Sequence, residues 1–271
     1  MAQEKWLVDG PRVIDFELVR SLKVSLIRGQ VDIVAHDEPT TRVEVHSVQG
    51  KDLKIAIDGD RLEIDHPQLR WENFVDVFKT FKGSASADIS IMVPRDVALK
   101  FGVVSANGLI SGLTEDAKIS TVSGDLVVDN VYGDLELNSV SGEIAVRNHY
   151  GNITSKTVSG DVTATGEIMR FKSDGVSGDV FLDVTGIPED IRVNTVSGDV
   201  TARLASGVAA QYRVTTVSGK LQLDDSEIRG VRGTYTGKHG ELSGRWLELS
   251  VNTVSGDIAV LHAGVPSQAQ R

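Results

Sequence analysis

Cysteine is absent from the chain, and its absence excludes disulfide bonds, thiolate metal sites and a cysteine nucleophile. No stretch approaches the roughly 18 consecutive apolar residues that a membrane-spanning helix needs. The first twenty residues also lack the basic and apolar regions of a signal peptide. These absences predict a soluble, cytoplasmic protein without a membrane span.

Basic and aromatic residues are scarce as well. Lys and Arg number 28 against 38 Asp and Glu, which gives a formal net charge of -10 at pH 7. Such a surface repels phosphate groups, so nucleic acid and bare anionic lipid are not expected as partners. Of the 271 residues, 40% are hydrophobic, so the chain can still build a core. It is expected to fold without a cofactor.

The sequence is rich in one pentapeptide, TVSGD, which begins at Thr121, Thr157, Thr195 and Thr253. The variants SVSGE, GVSGD and TVSGK begin at Ser139, Gly175 and Thr216, and a degenerate copy, VSANGLI, begins at Val104. A fixed period of this size is typical of a solenoid, in which each unit packs only against its neighbours. The central valines follow one another in steps of 18, 18, 18, 20, 21 and 37, and they are Val122, Val140, Val158, Val176, Val196, Val217 and Val254.

A half-period of nine residues lies inside each repeat. The fifth residue of seven successive nonamers is always apolar, and six of the seven have Gly at the third position, which predicts an inward strand followed by a bend. The chain is therefore predicted to be all-β, a single-stranded parallel β-solenoid with about 18 residues per coil, right-handed by the general bias of parallel connections. In TVSGD, Val is expected to point inward, and Thr, Ser and Asp outward. The fifth-position residues are Leu126, Leu135, Ile144, Ile153, Val162, Phe171 and Val180.

The repeat also predicts the domain organisation. A single domain over residues 1–263 is expected. In it, IRGQVDI, from Ile27 to Ile33, is a degenerate copy of VSGDLVV. Its parts are degenerate N-terminal coils (1–103), regular coils (104–223), an insertion (224–250), a last coil (251–263) and a disordered tail (264–271).

One segment, residues 67–87, does not follow the repeat. Trp71, Phe74, Phe78 and Phe81 occur there at helical spacings of three, four and three. A flap or cap that covers open strand edges explains this cluster, and so does an anchor for a partner or a membrane surface. Both interpretations remain open.

Several stretches carry a family resemblance. They are RGQVDIVAHD, ADISIMVPRDVALKFGVVSANGLISG and the serial TVSGDV coils, and together they resemble a bacterial family known as "putative adhesins". The resemblance covers nearly the whole chain. It implies a β-solenoid domain of unknown function, and it implies association with the cell envelope, which this chain would reach through a partner.

Polar residues of the repeat form columns with two interpretations each. The serines and threonines either satisfy turn backbone groups or bind a repetitive partner such as a glycan. The acidic residues, spaced about 4.8 Å apart on neighbouring coils, are either solvated or bind calcium weakly. The acidic column consists of Asp125, Glu143, Asp161, Asp179, Asp199 and Asp257.

No pattern of catalytic residues stands out, so we expect neither an enzyme nor a bound metal or cofactor. DGVSGD lacks the G-x-S-x-G spacing of a serine-hydrolase elbow. No metal-ligand spacing links the histidines, which are expected to be isolated. They are His36, His46, His66, His149, His239 and His262.

The predicted function is that of a non-catalytic, adhesin-like interaction or scaffold module. Uncovered terminal coils would favour a protein partner or self-association into filaments. The alternative is a carbohydrate-binding or carbohydrate-active β-helix. For that alternative the one indication is Tyr132 and Tyr150, which occupy equivalent positions of successive repeats and are expected to stack. The candidate interaction surface thus comprises Trp71, Phe74, Phe78, Phe81, Tyr132 and Tyr150.

Overall fold

A computed structural model describes residues 4–66, 85–228 and 232–263. The protein is all-β, and over these described ranges it contains no helix. Nor, in the same ranges, is there any helix of the length and apolarity needed to cross a membrane. The chain divides into two compact units, Met1–Ile144 and Ala145–Arg271.

Eleven strands lie in the described residues of the first unit. They alternate buried and exposed residues, as expected for strands with one face on a core. The strands are β1 (Glu4–Val8), β2 (Arg12–Phe16), β3 (Ser21–His36), β4 (Thr41–Gln49), β5 (Leu53–Asp58), β6 (Arg61–Asp65), β7 (Ser86–Pro94), β8 (Ala98–Ser111), β9 (Ala117–Thr121), β10 (Leu126–Asp129) and β11 (Leu135–Ser139).

Parallel pairing organises the middle of this unit. β3 pairs in parallel with β6, β7 and β8, and β8 in turn pairs in parallel with β9 and β10. Leu126 lies opposite Gly108, and Leu135 lies opposite Ala117. In both pairs the two residues are one repeat apart in the sequence. The segment 27–33, IRGQVDI, lies in parallel register beside the segment 104–110, VSANGLI.

Other strands of the first unit pair antiparallel, which differs from the expected series of parallel coils before Val104. These pairs are β1 with β5, β5 with β6, β2 with β4, and β4 with β7. The β5–β6 connection shows why, because only Gly59 and Asp60 join the two strands and Gly59 has a φ of 64°. A turn of two residues reverses the chain, whereas a parallel pair needs a long crossover.

In the described part of the chain after Ser139, eleven further strands follow, beginning with one that starts at the boundary between the units. They are β12 (Ile144–Thr157), β13 (Val162–Asp174), β14 (Val180–Val184), β15 (Asp190–Asn194), β16 (Val200–Leu204), β17 (Ala210–Thr216), β18 (Leu221–Leu223), β19 (Ser226–Ile228), β20 (Gly233–His239), β21 (Leu247–Asn252) and β22 (Ile258–His262).

The spatial order of strands in the second unit departs from their order in the sequence. β21 pairs in parallel with β15 on one side and with β17 on the other, and β22 pairs likewise with β16 and β18. These two strands, the last ones before residue 264, are therefore internal. β19 and β20, which precede them, pair antiparallel with β18 and β17.

The apolar column predicted from the nonamers faces inward, and this prediction is confirmed. All seven fifth-position residues are buried, with Leu126, Leu135 and Ile144 in the first unit and the other four in the second. Phe101 in the first unit and Phe171 in the second are the largest fully buried side chains.

Candidate interaction surface and metal centre

The threonine of the pentapeptide faces the core, so the expectation that it points outward is wrong. Thr121 shows the physical reason, because its hydroxyl accepts the Gly124 N–H at 3.0 Å and donates to the Gly124 carbonyl at 2.8 Å. An inward hydroxyl thus closes the turn and satisfies buried backbone groups. The threonines at this position, all less than 9% exposed, are Thr121, Thr157, Thr195, Thr216 and Thr253.

The serine points outward, as predicted, and its hydroxyl contacts the neighbouring repeat. In the first unit Ser141 donates to the Val122 carbonyl at 3.0 Å. In the second unit Ser177 donates to the Val158 carbonyl at 3.3 Å. These contacts support the interpretation that the serine column satisfies backbone groups.

The glycine lies where two repeats approach most closely. A Cβ atom on Gly178 would overlap the carbonyl oxygen of Gly160, and one on Gly198 would overlap that of Gly178. A side chain at this position is therefore excluded by the backbone of the adjacent repeat, not by the dihedral angles of the glycine itself.

The acidic residue accepts a backbone hydrogen bond from the next repeat. Asp179 N–H donates to the Asp161 carboxylate, Asp199 N–H to Asp179, and Asp257 N–H to Asp199, each at 2.8 Å. Lys220 ends this series by donating its N–H to Asp257 at 2.9 Å. Because an N–H donor stabilises a carboxylate, the repulsion between neighbouring acidic residues is offset without a cation. Calcium binding by this column stays a prediction.

The valine of the pentapeptide is exposed in the second unit, and the expectation that it points inward is wrong there. It holds for Val122 in the first unit, which is buried. Backbone hydrogen bonds place the exposed valines side by side, since Val196 N–H donates to the Val176 carbonyl and Val254 N–H to the Val196 carbonyl. We call these residues, each 48–61% exposed, the valine ridge: Val158, Val176, Val196, Val254 and Val217.

The aromatic residues predicted as an interaction surface have different outcomes. Tyr132 in the first unit and Tyr150 in the second are each 45% exposed, and the stack between them stays a prediction. Trp71, Phe74, Phe78 and Phe81, with most of the segment 67–87, lie outside the described residues. Their assignment as a cap or an anchor therefore also stays a prediction.

A polar depression of about 370 Å³ crosses three strands of the second unit. Ser250 on β21 lies in register between Arg192 on β15 and Arg213 on β17. Donors and acceptors thus alternate over a short distance, which suits a polar ligand. The depression is lined by Asp190, Arg192, Gln211, Arg213, Glu248, Leu249 and Ser250.

One cluster of metal-ligating side chains was not found in the sequence. Asp224, His239 and His262 place their ligand atoms within 4.8 Å of one another, so the expectation of isolated histidines is wrong for these two. Asp224 follows β18, His239 ends β20 and His262 ends β22. Only the return of the chain through β21 and β22 brings the three together, which no spacing motif records.

Hydrogen bonds fix two of these residues. His262 Nδ1 lies 3.0 Å from both carboxylate oxygens of Asp224, and its Nε2 lies 3.1 Å from the Val208 carbonyl oxygen. The rings of His239 and His262 stack with centroids 3.9 Å apart. Burial opposes the charge of Asp224, but the hydrogen bonds from His262 and the nearby charges of both histidines hold the pKa of its carboxyl below the usual value.

Comparison with known proteins gives a family and a set of similar structures. The family model described as Toastrack DUF4097 matches residues 19–261. Comparison with curated proteins finds no match. Among solved structures, a "putative lipid binding protein" from Parabacteroides distasonis is 12% identical, covers 94% of this chain and 97% of its own, and has a TM-score of 0.49.

Two further similar structures bear the name "putative adhesin". The one from Bacteroides fragilis is 13% identical, with 93% of this chain and 97% of that chain covered and a TM-score of 0.46. The one from Parabacteroides distasonis is 15% identical, with 97% and 95% covered and a TM-score of 0.45. Similarity at this level does not carry a ligand or partner over to this chain. The family match spans most of both units, and the chain belongs to the Toastrack DUF4097 family.

Proposed function

We propose that this protein is a non-catalytic, adhesin-like interaction module that binds a protein partner along the valine ridge. In this proposal the chain forms a right-handed parallel β-solenoid of about 18 residues per repeat. Parallel registers that join equivalent positions of successive repeats support that architecture, since Val162 lies opposite Val180 and Val180 lies opposite Val200.

The valine ridge is the observation that carries the proposal. Adjacent parallel strands are about 4.8 Å apart, so five valines form an apolar strip about 19 Å long. Thr is isosteric with Val and has a similar preference for strands, and it would leave this surface polar. A continuous apolar strip on a chain of net charge -10 is therefore a feature that folding alone does not require.

The remaining positions of the pentapeptide support a non-catalytic role. The side chains of Thr121, Ser177 and Asp179 are hydrogen-bonded to the backbone of their own turn or of a neighbouring repeat. Polar groups used in this way are not presented as nucleophiles or general acids. An envelope location, in this proposal, would be reached through the partner that binds the ridge.

The test is a capture experiment with a matched control. The variant V176T/V196T/V254T keeps β-branching and volume at the ridge but removes three apolar surfaces. The control V13T/V34T changes two valines of the first unit that are 56% and 43% exposed. We expect both variants to give the wild-type circular dichroism spectrum, and only the ridge variant to lose the proteins that the wild type captures from a cell extract. Equal capture by ridge variant and control would contradict the proposal.

A second candidate function is carbohydrate binding at the polar depression. Its Arg, Asp, Glu and Gln side chains offer the planar donors and acceptors that sugar hydroxyls need. Binding of the wild type on a glycan array, lost in R192Q/R213Q and retained in the ridge variant, would favour this candidate. An array without any bound glycan would exclude it.

A further inference from the structure

We propose that Asp224, His239 and His262 form a binding site for a divalent transition-metal ion such as Zn²⁺. The site lies in the second unit, outside the valine ridge and the polar depression. Two imidazoles and one carboxylate are a common protein ligand set for zinc, and a water molecule would complete four-coordination.

The spacing of the ligand atoms fits such an ion. Ligands about 2.0–2.1 Å from a tetrahedral zinc lie roughly 3.3 Å from one another. Asp224 Oδ2 lies 3.0 Å from His262 Nδ1 and 3.3 Å from His239 Nδ1. The distances from the carboxylate to the two imidazoles are thus close to the ligand–ligand distance of a tetrahedral site.

The hydrogen bonds of His262 prepare its Nδ1 as a ligand. Its Nε2 faces the Val208 carbonyl oxygen at 3.1 Å, so this nitrogen carries a hydrogen and donates it. In a neutral ring the Nδ1 lone pair then points at two carboxylate oxygens that are also acceptors. A positive species, a proton or a metal ion, must lie between these acceptors. A metal-bound histidine typically donates its other N–H to a carbonyl or carboxylate, which is the arrangement of His262.

The backbone of Asp224 is constrained in a way that holds its carboxylate in place. Asp224 has a φ of 50°, a left-handed conformation that Asp tolerates better than most residues and that suits the two-residue turn between β18 and β19. Its N–H donates to the Val260 carbonyl at 2.9 Å, and its Oδ1 accepts the His262 N–H at 2.6 Å.

His239 is the ligand that must move. Its ring is nearly parallel to that of His262, with an interplanar angle of 15°, and two parallel rings cannot direct both lone pairs at one ion. The His239 side chain is 40% exposed against 8% for His262, so His239 is free to tilt out of the stack. An ion held in this way would join the turn after β18 to the ends of β20 and β22, and it would stabilise the second unit.

The experiment titrates ZnCl₂ into the untagged full-length protein by isothermal calorimetry, and records the visible absorption of the Co²⁺ complex. His239→Ala removes the exposed ligand. Asp224→Asn removes the anionic ligand while keeping a residue that tolerates a left-handed φ. His46→Ala is the control, since His46 is an exposed histidine of the first unit that contacts Ser90.

We expect one Zn²⁺ per chain, and the intense visible bands of four-coordinate Co²⁺. Both ligand variants should weaken Zn²⁺ binding by about tenfold or more, whereas the control stays within about twofold of the wild type. The absence of saturable Zn²⁺ binding would overturn the proposal and would mean that only a proton joins His262 to Asp224. Binding that is unchanged in both ligand variants would overturn it as well.

Discussion

At the scale of single residues, two positions of TVSGD have a clear physical reason for their residue type. They are the buried threonine and the glycine that lies against the next repeat. A buried hydroxyl costs free energy unless it is hydrogen-bonded, and the turn at Gly124 provides both a donor and an acceptor for Thr121. A glycine is required wherever the next repeat brings a carbonyl oxygen to the place of its Cβ.

Gly178→Ala tests the second of these causes. The added methyl group would overlap the Gly160 carbonyl oxygen. One of the two repeats must therefore shift, and the hydrogen bonds between their parallel strands must distort. We expect a loss of about 3 kcal/mol or more in the free energy of unfolding, measured by urea denaturation. Gly10→Ala is the control, because a Cβ atom there meets nothing within 4 Å. Equal stability of the two variants would refute the close-approach explanation.

His66 gives the first unit a dependence on pH. Burial lowers the pKa of His66 from 6.5 to about 4, and the charge of Asp65 opposes this shift. The unfolded chain therefore binds a proton that the folded chain does not between about pH 6.5 and 4. The stabilisation from neutral His66 is complete above pH 6.5 and is lost as the pH falls through this window.

The expected loss is about 3 kcal/mol in the free energy of unfolding between pH 7 and 4, beyond the contribution of carboxylates. His66→Gln isolates it, since a Gln carbonyl can also accept the Ile27 N–H that His66 Nδ1 accepts at 3.3 Å. Urea denaturation at a series of pH values should show a steeper acid loss for the wild type than for the variant. Parallel curves would mean that folding does not lower the pKa of His66.

At the scale of elements, the return of β21 and β22 into the interior of the second unit has a consequence for local stability. Each of these strands pairs on both sides, although they are the last strands before residue 264. We expect their amide hydrogens to exchange as slowly as those of β15 and β16, and those of β19 and β20 to exchange earlier. Hydrogen exchange followed by mass spectrometry measures this order, and fast exchange in β21 and β22 would contradict it.

Sequence periodicity predicts some of these elements and not others, for physical reasons. The apolar column from Leu126 to Val180 was predictable because alternation persists along each strand. The orientation of Thr and Val was not, because the pentapeptide contains the bend at which alternation breaks. The position of β21 was not predictable either, since the long step from Val217 to Val254 gives the length of an insertion and not its path.

The same limit applies to the candidate sites. Tyr132 and Tyr150 occupy equivalent positions of successive repeats, and the stack expected from that spacing stays a prediction. His239 and His262 follow no such spacing, and they become neighbours only through the strand order. The valine ridge was visible as a column in the sequence. The ridge faces outward because Thr195 and the equivalent threonines, which precede the valines, occupy the inward position.

At the scale of the whole molecule, two properties act together on recognition. The net charge of -10 opposes association with other acidic surfaces. The valine ridge offers one apolar strip that a matching surface can cover. We therefore expect recognition that depends on the ridge and is weakly sensitive to salt, because apolar burial is not screened by ions.

The central claim is that the repeated valine contacts a partner while the rest of the pentapeptide maintains the fold. Its most direct test is photocrosslinking in cells, with a photoreactive amino acid placed at Val196 on the ridge or at Val34 in the first unit. We expect a discrete crosslinked species from position 196 and none of that mass from position 34. Identical crosslinking patterns from the two positions, or no crosslink at position 196, would contradict it.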